Sequence, residues 1–187
     1  PTETVYGLGA NALDAVATKH IYEAKGRPSD NPMIVHVASI DMLNEVASDV
    51  TDEQKAIMSK LWPGPITFVL RKNPNVPDVT TGGLDTVAVR WPARREAAEI
   101  IEAAGVPIAA PSANLSGKPS PTIFEDVAED MDGRIDAIVK GERTAIGIES
   151  TVLDLTSEIP TILRPGFITK SQVEEAVGGE VQYDPSL

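Results

Sequence analysis

The sequence predicts an open, single-domain α/β fold in which a twisted, mixed β-sheet is flanked by helices. Three observations carry that prediction. Short apolar or alternating runs take turns with stretches of helical periodicity, the pattern of an α/β chain. One pair of runs is joined by so short a turn that it reads as a hairpin, so the sheet is not purely parallel. Finally, 187 residues with 42% hydrophobic and 24% charged side chains suit one domain with a real core.

The elements follow in order. Asp14 caps a helix running to about Lys25, with Ala17, Ile21 and Ala24 on its apolar face, and Gly26 and Pro28 stop it. Lys25 at that C-terminus is explained by the helix dipole, whereas Arg27 beyond the stop is not. Met33 to Val37 alternates as a strand, with Ile34 and His36 on the face opposite Met33, Val35 and Val37. Asp41 to Ala47 is helical, and Thr51 to Gln54 is a capping box that opens the next helix. Trp62-Pro63-Gly64-Pro65 makes a rigid turn into a strand over Ile66 to Leu70. Asn73 to Gly83, rich in Pro, Asn, Thr and Gly, reads as a long loop with the composition of a lid.

Thr86 to Arg90 is a strand, Arg94 to Ala104 a helix closed by Gly105, and Val106 to Ala110 a buried strand. A helix over Ile123 to Met131 and a strand near Ala137 to Val139 come next. The hairpin is Ser150 to Leu155 with Thr161 to Leu163, turning across Thr156 to Pro160. Thr169 to Gln172 is a second capping box, and its helix ends at Gly178. The domain therefore spans 1–179, and 180–187 reads as the start of a linker or tail.

Between the strand ending at Ala110 and the helix after it lies Pro111-Ser112-Ala113-Asn114-Leu115-Ser116-Gly117-Lys118-Pro119-Ser120. The carboxyl end of a strand is where α/β folds hold ligands. Hydroxyls, an amide and free backbone N–H groups suit phosphate, ribose or carboxylate oxygens. An ordinary Ser/Asn/Gly/Pro turn explains the stretch equally well on its own.

The formal net charge of −12 opposes non-specific adhesion to nucleic acid, and aromatics at 4% leave few stacking platforms. Against that acidic background the basic residues Lys25, Arg27, Lys118 and Arg164 stand beside Gly or Pro at element ends, and Arg90 ends its strand two residues before Pro92. The chain has no cysteine, which excludes disulfides and thiolate metal sites and points to a reducing, cytoplasmic setting. No run is long enough to span a membrane. Phosphate-binding loops, dinucleotide fingerprints and nucleophile elbows are missing, and His20 and His36 cannot build a metal cluster. What remains suits polyanion binding and reactions driven by positioning and charge neutralisation, such as adenylyl transfer.

Several segments in order and spacing carry a family resemblance. They are Pro1-Thr2-Glu3-Thr4-Val5-Tyr6-Gly7-Leu8, Lys25-Gly26-Arg27-Pro28, Val35-His36-Val37, Trp62-Pro63-Gly64-Pro65-Ile66-Thr67 and Val89-Arg90-Trp91-Pro92. To these add Pro111 to Gly117, Gly147-Ile148-Glu149-Ser150-Thr151-Val152 and Leu163-Arg164-Pro165-Gly166. Together they resemble the YrdC/TsaC family of L-threonylcarbamoyladenylate synthases from end to end. The resemblance implies a YrdC-like sheet and a reaction of L-threonine, bicarbonate and ATP, with Mg²⁺, giving threonylcarbamoyl-AMP and pyrophosphate. The product would pass to a tRNA threonylcarbamoyl-transferase complex, and a weak tRNA contact stays open.

By motif position, Thr4, His36, Arg90, Ala110 and Ser150 would hold threonine, with Arg90 facing its carboxylate. Lys25, Arg27, Asn31, Thr86, Ser112, Asn114, Ser120 and Arg164 would hold ATP, with Lys25 and Arg27 near the phosphates. No nucleophile and no metal-ligating side chain is assigned. The family's first strand and helix are absent ahead of Pro1, and some members continue into a second domain. Two other readings stand beside this one: a double-stranded RNA or tRNA-binding module, and a carbamoyl-adenylate domain of the hydrogenase-maturation type.

Overall fold

The computed structural model describes residues Pro1–Leu187. Its strands are β1 (Ala10–Asn11), β2 (Ile34–His36), β3 (Ile66–Arg71), β4 (Thr86–Arg90), β5 (Ile108–Ala109), β6 (Thr151–Asp154), β7 (Thr161–Arg164) and β8 (Gln182–Tyr183). Its helices are α1 (Ala15–Lys25), α2 (Ile40–Val46), α3 (Asp52–Leu61), α4 (Arg95–Ala104), α5 (Phe124–Met131) and α6 (Lys170–Val177). The strands form one mixed sheet in the order β1-β5-β2-β4-β3-β6-β7-β8. Pairs β2–β4, β3–β6 and β7–β8 are parallel, and the others are antiparallel. The predicted mixed sheet and the β6–β7 hairpin are both present.

Period-two alternation divides the central strands into two faces. Val35, Ile66, Phe68, Leu70, Val87, Val89, Ala109 and Leu153 are buried in the core, in one cluster with Leu43 and Val46 of α2, Ile57 and Met58 of α3, and Val173 of α6. Ile34, His36, Thr86, Ala88, Arg90, Ile108 and Val152, at the alternate positions, line a cleft. Across that cleft face, register sets Ile108, His36, Arg90, Thr67 and Val152 side by side on five strands.

Helix ends match the residues that specify them. Asp14 accepts from the N–H groups of Val16 and Ala17, and both capping boxes close, Thr51 with Gln54 and Thr169 with Gln172. The apolar face of α1 differs from the reading Ala17/Ile21/Ala24. Thr18, Ile21, Tyr22 and Lys25 are the buried set; Ala24 is partly buried against the core as expected, while Ala17 lies at the cleft. Thr18 and Tyr22 go inside because loop carbonyls and a hydroxyl satisfy their polar tips: Tyr22 Oη donates to Asn31 O and Val79 O, and Thr18 Oγ1 meets Thr80 Oγ1.

Three further expectations are corrected. The loop Asn73 to Gly83 is no lid, because it is stitched into the interior. Thr80 and Thr81 are buried, Thr80 Oγ1 donates to Ala12 O at 2.8 Å, and Met33 N donates to Thr80 O. Ala137 to Val139 is not a strand; it belongs to an irregular stretch without a ladder partner that lines the cleft. The tail read as a linker instead adds the edge strand β8, with Val181 1% exposed beneath it. A single buried valine anchors that tail, too little apolar pattern to read from sequence.

Candidate active site

The cleft has a volume of about 1220 Å³, above the usual range for one small ligand and adequate for two substrates. Thr4, Arg27, Asn31, His36, Thr86, Arg90, Ala110, Ser112, Ser150 and Arg164 all line it. Ten of the thirteen site residues read from sequence therefore converge, although they span positions 4 to 164. Lys25, Asn114 and Ser120 do not form the wall; they stand behind it.

At one end, Arg90 closes β4. It is 3% exposed and almost fully committed to protein partners. Nε donates to Gly64 O at 3.2 Å, Nη1 to Thr4 Oγ1 at 2.9 Å and Thr2 Oγ1 at 3.3 Å, and Nη2 to Glu3 Oε1. Ser150 Oγ is 2.8 Å from Thr67 Oγ1 and accepts from Arg164 Nη2 at 3.1 Å. Both hydroxyls are buried, so the pair fixes where Ser150 points. His36 lies beside Arg90 in register, and its Nδ1 has no protein partner. Burial first, and then the Arg90 charge, push His36 down to about 3. The ring is therefore neutral near pH 7 and too weak a base to take a proton from an ammonium. It can orient a ligand through neutral hydrogen bonds.

The other end is built on the Pro111–Ser120 loop. Lys25 Nζ donates to Asn114 O at 2.7 Å and to Ser112 O, tying the loop to the end of α1. Asn114 Nδ2 donates to Leu115 O and Lys118 O, both at 2.9 Å, so its amide shapes the loop. On the far side Asp130 of α5 accepts from Leu115 N at 3.0 Å and Lys118 Nζ at 2.5 Å. Those two bonds hold the Asp130 carboxyl below the usual range. Lys118 is thus the partner of Asp130, and Ser112 is the polar residue of the loop that lines the cleft, beside Pro111 and Ala113.

Arg27 reaches the cleft beyond the helix stop. Its Nη2 donates to Pro32 O at 2.9 Å, and no carboxylate pairs with it. Arg164, by contrast, shares a half-exposed ion pair with Glu149 at 3.2 Å, and Ser120 Oγ donates to the other Glu149 oxygen at 2.9 Å. Exposed pairs of this kind are worth little, so a phosphate can displace Glu149 from Arg164. No group of three His, Cys, Asp or Glu side chains is arranged to hold a metal.

Burial, with the Arg27 charge adding to it, pushes Lys25 down to about 8 from its usual 10.5. A folded value below the unfolded one means that the unfolded chain binds more protons between pH 8 and 10.5. Stability therefore rises with pH across that window. Polyphosphate affinity should move the opposite way. Titrated from pH 7 to 9.5, the cleft is expected to lose about tenfold in affinity for a polyphosphate probe as the Lys25 charge disappears, and Lys25→Met to flatten that slope. An unchanged slope in the variant assigns the effect elsewhere.

A family model described as Telomere recombination, covering Sua5, YciO and YrdC, matches residues 1–166. The chain belongs to the Sua5/YciO/YrdC family. Among members of the Sua5/YciO/YrdC family, it is 54% identical over its whole length to the threonylcarbamoyl-AMP synthase of Pyrococcus abyssi and 56% identical to that of Bacillus subtilis. It spans about half of each relative, 55% and 54% of their lengths. The crystal structure of P. abyssi Sua5 complexed with L-threonine superposes with a TM-score of 0.96, at 55% identity over 99% of this chain and 54% of that one. The mixed sheet is therefore the fold of the Sua5/YciO/YrdC family.

Sequence reasoning missed four members of this site: Glu3, Thr67, Asp130 and Glu149. Each stands against a residue that sequence did single out, yet its partner is 12 to 87 positions away. The only sequence signal is that Glu3, Thr67 and Glu149 fall inside the recurring motif segments.

Proposed function

We propose that this domain joins L-threonine, bicarbonate and ATP into threonylcarbamoyl-AMP, releasing pyrophosphate. The observation that carries the reading is the two-ended cleft. A hydroxyl-rich end, made by Thr4, Ser150, neutral His36 and an internally paired Arg90, adjoins an end where Arg27 has no acid partner. The names of the P. abyssi and B. subtilis relatives and the threonine-bound Sua5 structure support it.

The threonine amine and bicarbonate lose water to form a carbamate. A carbamate oxygen then attacks the α-phosphorus, and pyrophosphate leaves with the electron pair of the broken P–O bond. Thr4, His36 and Ser150 orient the amino acid, while Ser112, Arg27 and Arg164 hold and neutralise phosphate oxygens. No side chain acts as a nucleophile, so positioning and charge supply the rate enhancement. Mg²⁺ would arrive with the nucleotide substrate and would supply further neutralisation of phosphate charge beside Ser112, Arg27 and Arg164. The product is an activated acyl-adenylate that a tRNA-modifying transferase in the cytoplasm would consume.

The test is pyrophosphate release by the full-length protein with each substrate omitted in turn. Release is expected to require threonine, bicarbonate and ATP together. Release indifferent to threonine moves the reading to carbamoyl-adenylate chemistry, and salt-sensitive duplex RNA binding without ATP turnover moves it to a binding module.

A further inference from the structure

The Arg90 guanidinium has five N–H donors, and the protein uses four of them. Nε takes Gly64 O, Nη1 takes the hydroxyls of Thr2 and Thr4, and one Nη2 N–H takes Glu3 Oε1. The second Glu3 oxygen accepts from the Ala93 N–H at 2.8 Å, so the carboxylate is fixed from both sides. The Glu3 side chain is 13% exposed and that of Arg90 4%. Thr2, Thr4 and Arg90 line the cleft but Glu3 does not, so Glu3 reaches the guanidinium from behind. Its backbone is held as well: Ile146 N donates to Glu3 O at 2.9 Å and Gly147 N to Thr4 O at 3.0 Å.

We infer that Glu3 is a specificity-determining residue of the amino-acid subsite: by neutralising Arg90 from behind, it makes that end of the cleft select zwitterionic over dicarboxylic amino acids. The inference rests on the proposed function and deepens it. An unpaired buried arginine would present a full positive charge and a two-pronged face to any carboxylate. Paired with Glu3, it offers one free N–H and no net charge. A single α-carboxylate is satisfied by that N–H together with the neighbouring hydroxyls. A second carboxylate placed beside Arg90 meets a guanidinium whose charge Glu3 already balances.

The wild-type protein alone exposes the inference to refutation. L-asparagine and L-aspartate have the same shape and differ in charge. As competitors of threonine in the pyrophosphate assay, asparagine should act at least about tenfold more strongly than aspartate. Equal competition overturns the inference. In Glu3→Gln the asparagine-to-aspartate ratio should shrink by about tenfold or more, while the KM for ATP stays at its wild-type value; Glu3→Asp, which keeps the charge, should retain the wild-type ratio. A ratio that is unchanged in Glu3→Gln, with threonine and ATP parameters deteriorating together, assigns Glu3 a purely structural role and overturns the inference. So does a ratio that shifts equally in the Asp variant. Wild-type pyrophosphate release with no amino-acid dependence overturns the proposed function and this inference together, whereas threonine dependence without charge discrimination overturns this inference alone.

Discussion

Arg27→Ala is expected to reduce ATP turnover by about 10²–10³-fold while the protein stays folded. Both halves of that expectation come from the partners of Arg27. Its guanidinium is held by the carbonyls of Asn31 and Pro32 and by no carboxylate, so truncation strands no buried counter-charge. The cost to stability is about 1 kcal/mol, that of lost hydrogen bonds at a partly buried site. The cost to chemistry is larger, because Arg90 and Arg164 are each engaged by a glutamate and Lys25 is buried behind the Ser112 loop. Arg27 is thus the most available of these four cations to a triphosphate, and charge developing on the leaving group would lose a neutralising group. Pyrophosphate release and thermal unfolding of the same preparation check the two halves. Arg27→Lys should recover only part of the rate, since a point charge cannot bridge two phosphate oxygens as a planar fork does. Wild-type kinetics in Arg27→Ala would return Arg27 to an ordinary surface charge.

The contrast between Arg27 and Lys25 shows how far sequence reaches. Both stand at the end of one helix, and the helix itself, its Asp14 cap and its Gly26 stop are local features that sequence states fully. Arg27 lies past the stop, which no local rule explains, and it proves to face the cleft. Lys25 has a sufficient local explanation in the helix dipole. Its actual work, bonding carbonyls 87 and 89 positions later, leaves no trace near residue 25. Alternation in β2 and β4 likewise tells which residues share a face, so His36 and Arg90 could be placed on the cleft side of their strands. That they lie side by side depends on strand order, and the β2–β4 register is set by tertiary packing rather than by either segment. The carboxylates behind the site are illegible for the same reason. Glu3 and Asp130 resemble solvated acids in a chain with twenty-eight of them, and only their partners distinguish them. The strand expected near Ala137 to Val139 fails differently: three residues of suitable composition do not make a strand without a ladder partner.

Gly166→Ala is the substitution expected to damage fold and site together. A Cβ at this position would lie 2.5 Å from Thr151 N, 2.6 Å from Glu149 O and 2.7 Å from the Ser150 carbonyl carbon. All three are backbone atoms, so no side-chain rotation relieves the overlap. The 149–151 backbone must move away from residue 166, and it is anchored where it stands. Thr151 N donates to Pro65 O at 3.1 Å, and Ser150 O accepts from Arg164 Nε and Nη2 at 3.0 and 2.8 Å. Moving it strains the start of β6 and carries Ser150 Oγ away from Thr67. Overpacking a buried contact of this kind costs about 3 kcal/mol, or a fall of roughly 6–12 °C in Tm for a domain of this size. The catalytic loss follows from geometry rather than from chemistry removed, since misplacement by about 1 Å can cost 10²-fold. Under the proposed function, the KM for threonine should rise more than the KM for ATP, because Ser150 then stands at the amino-acid end and Arg164 can follow the moved carbonyl. Thermal unfolding with substrate-resolved kinetics decides it. A Tm within about 2 °C of wild type together with an unchanged threonine KM would mean that the 149–151 backbone yields freely. In that case Thr67 and Arg164 do not fix Ser150, and the amino-acid subsite is far less preorganised than its hydrogen bonds imply.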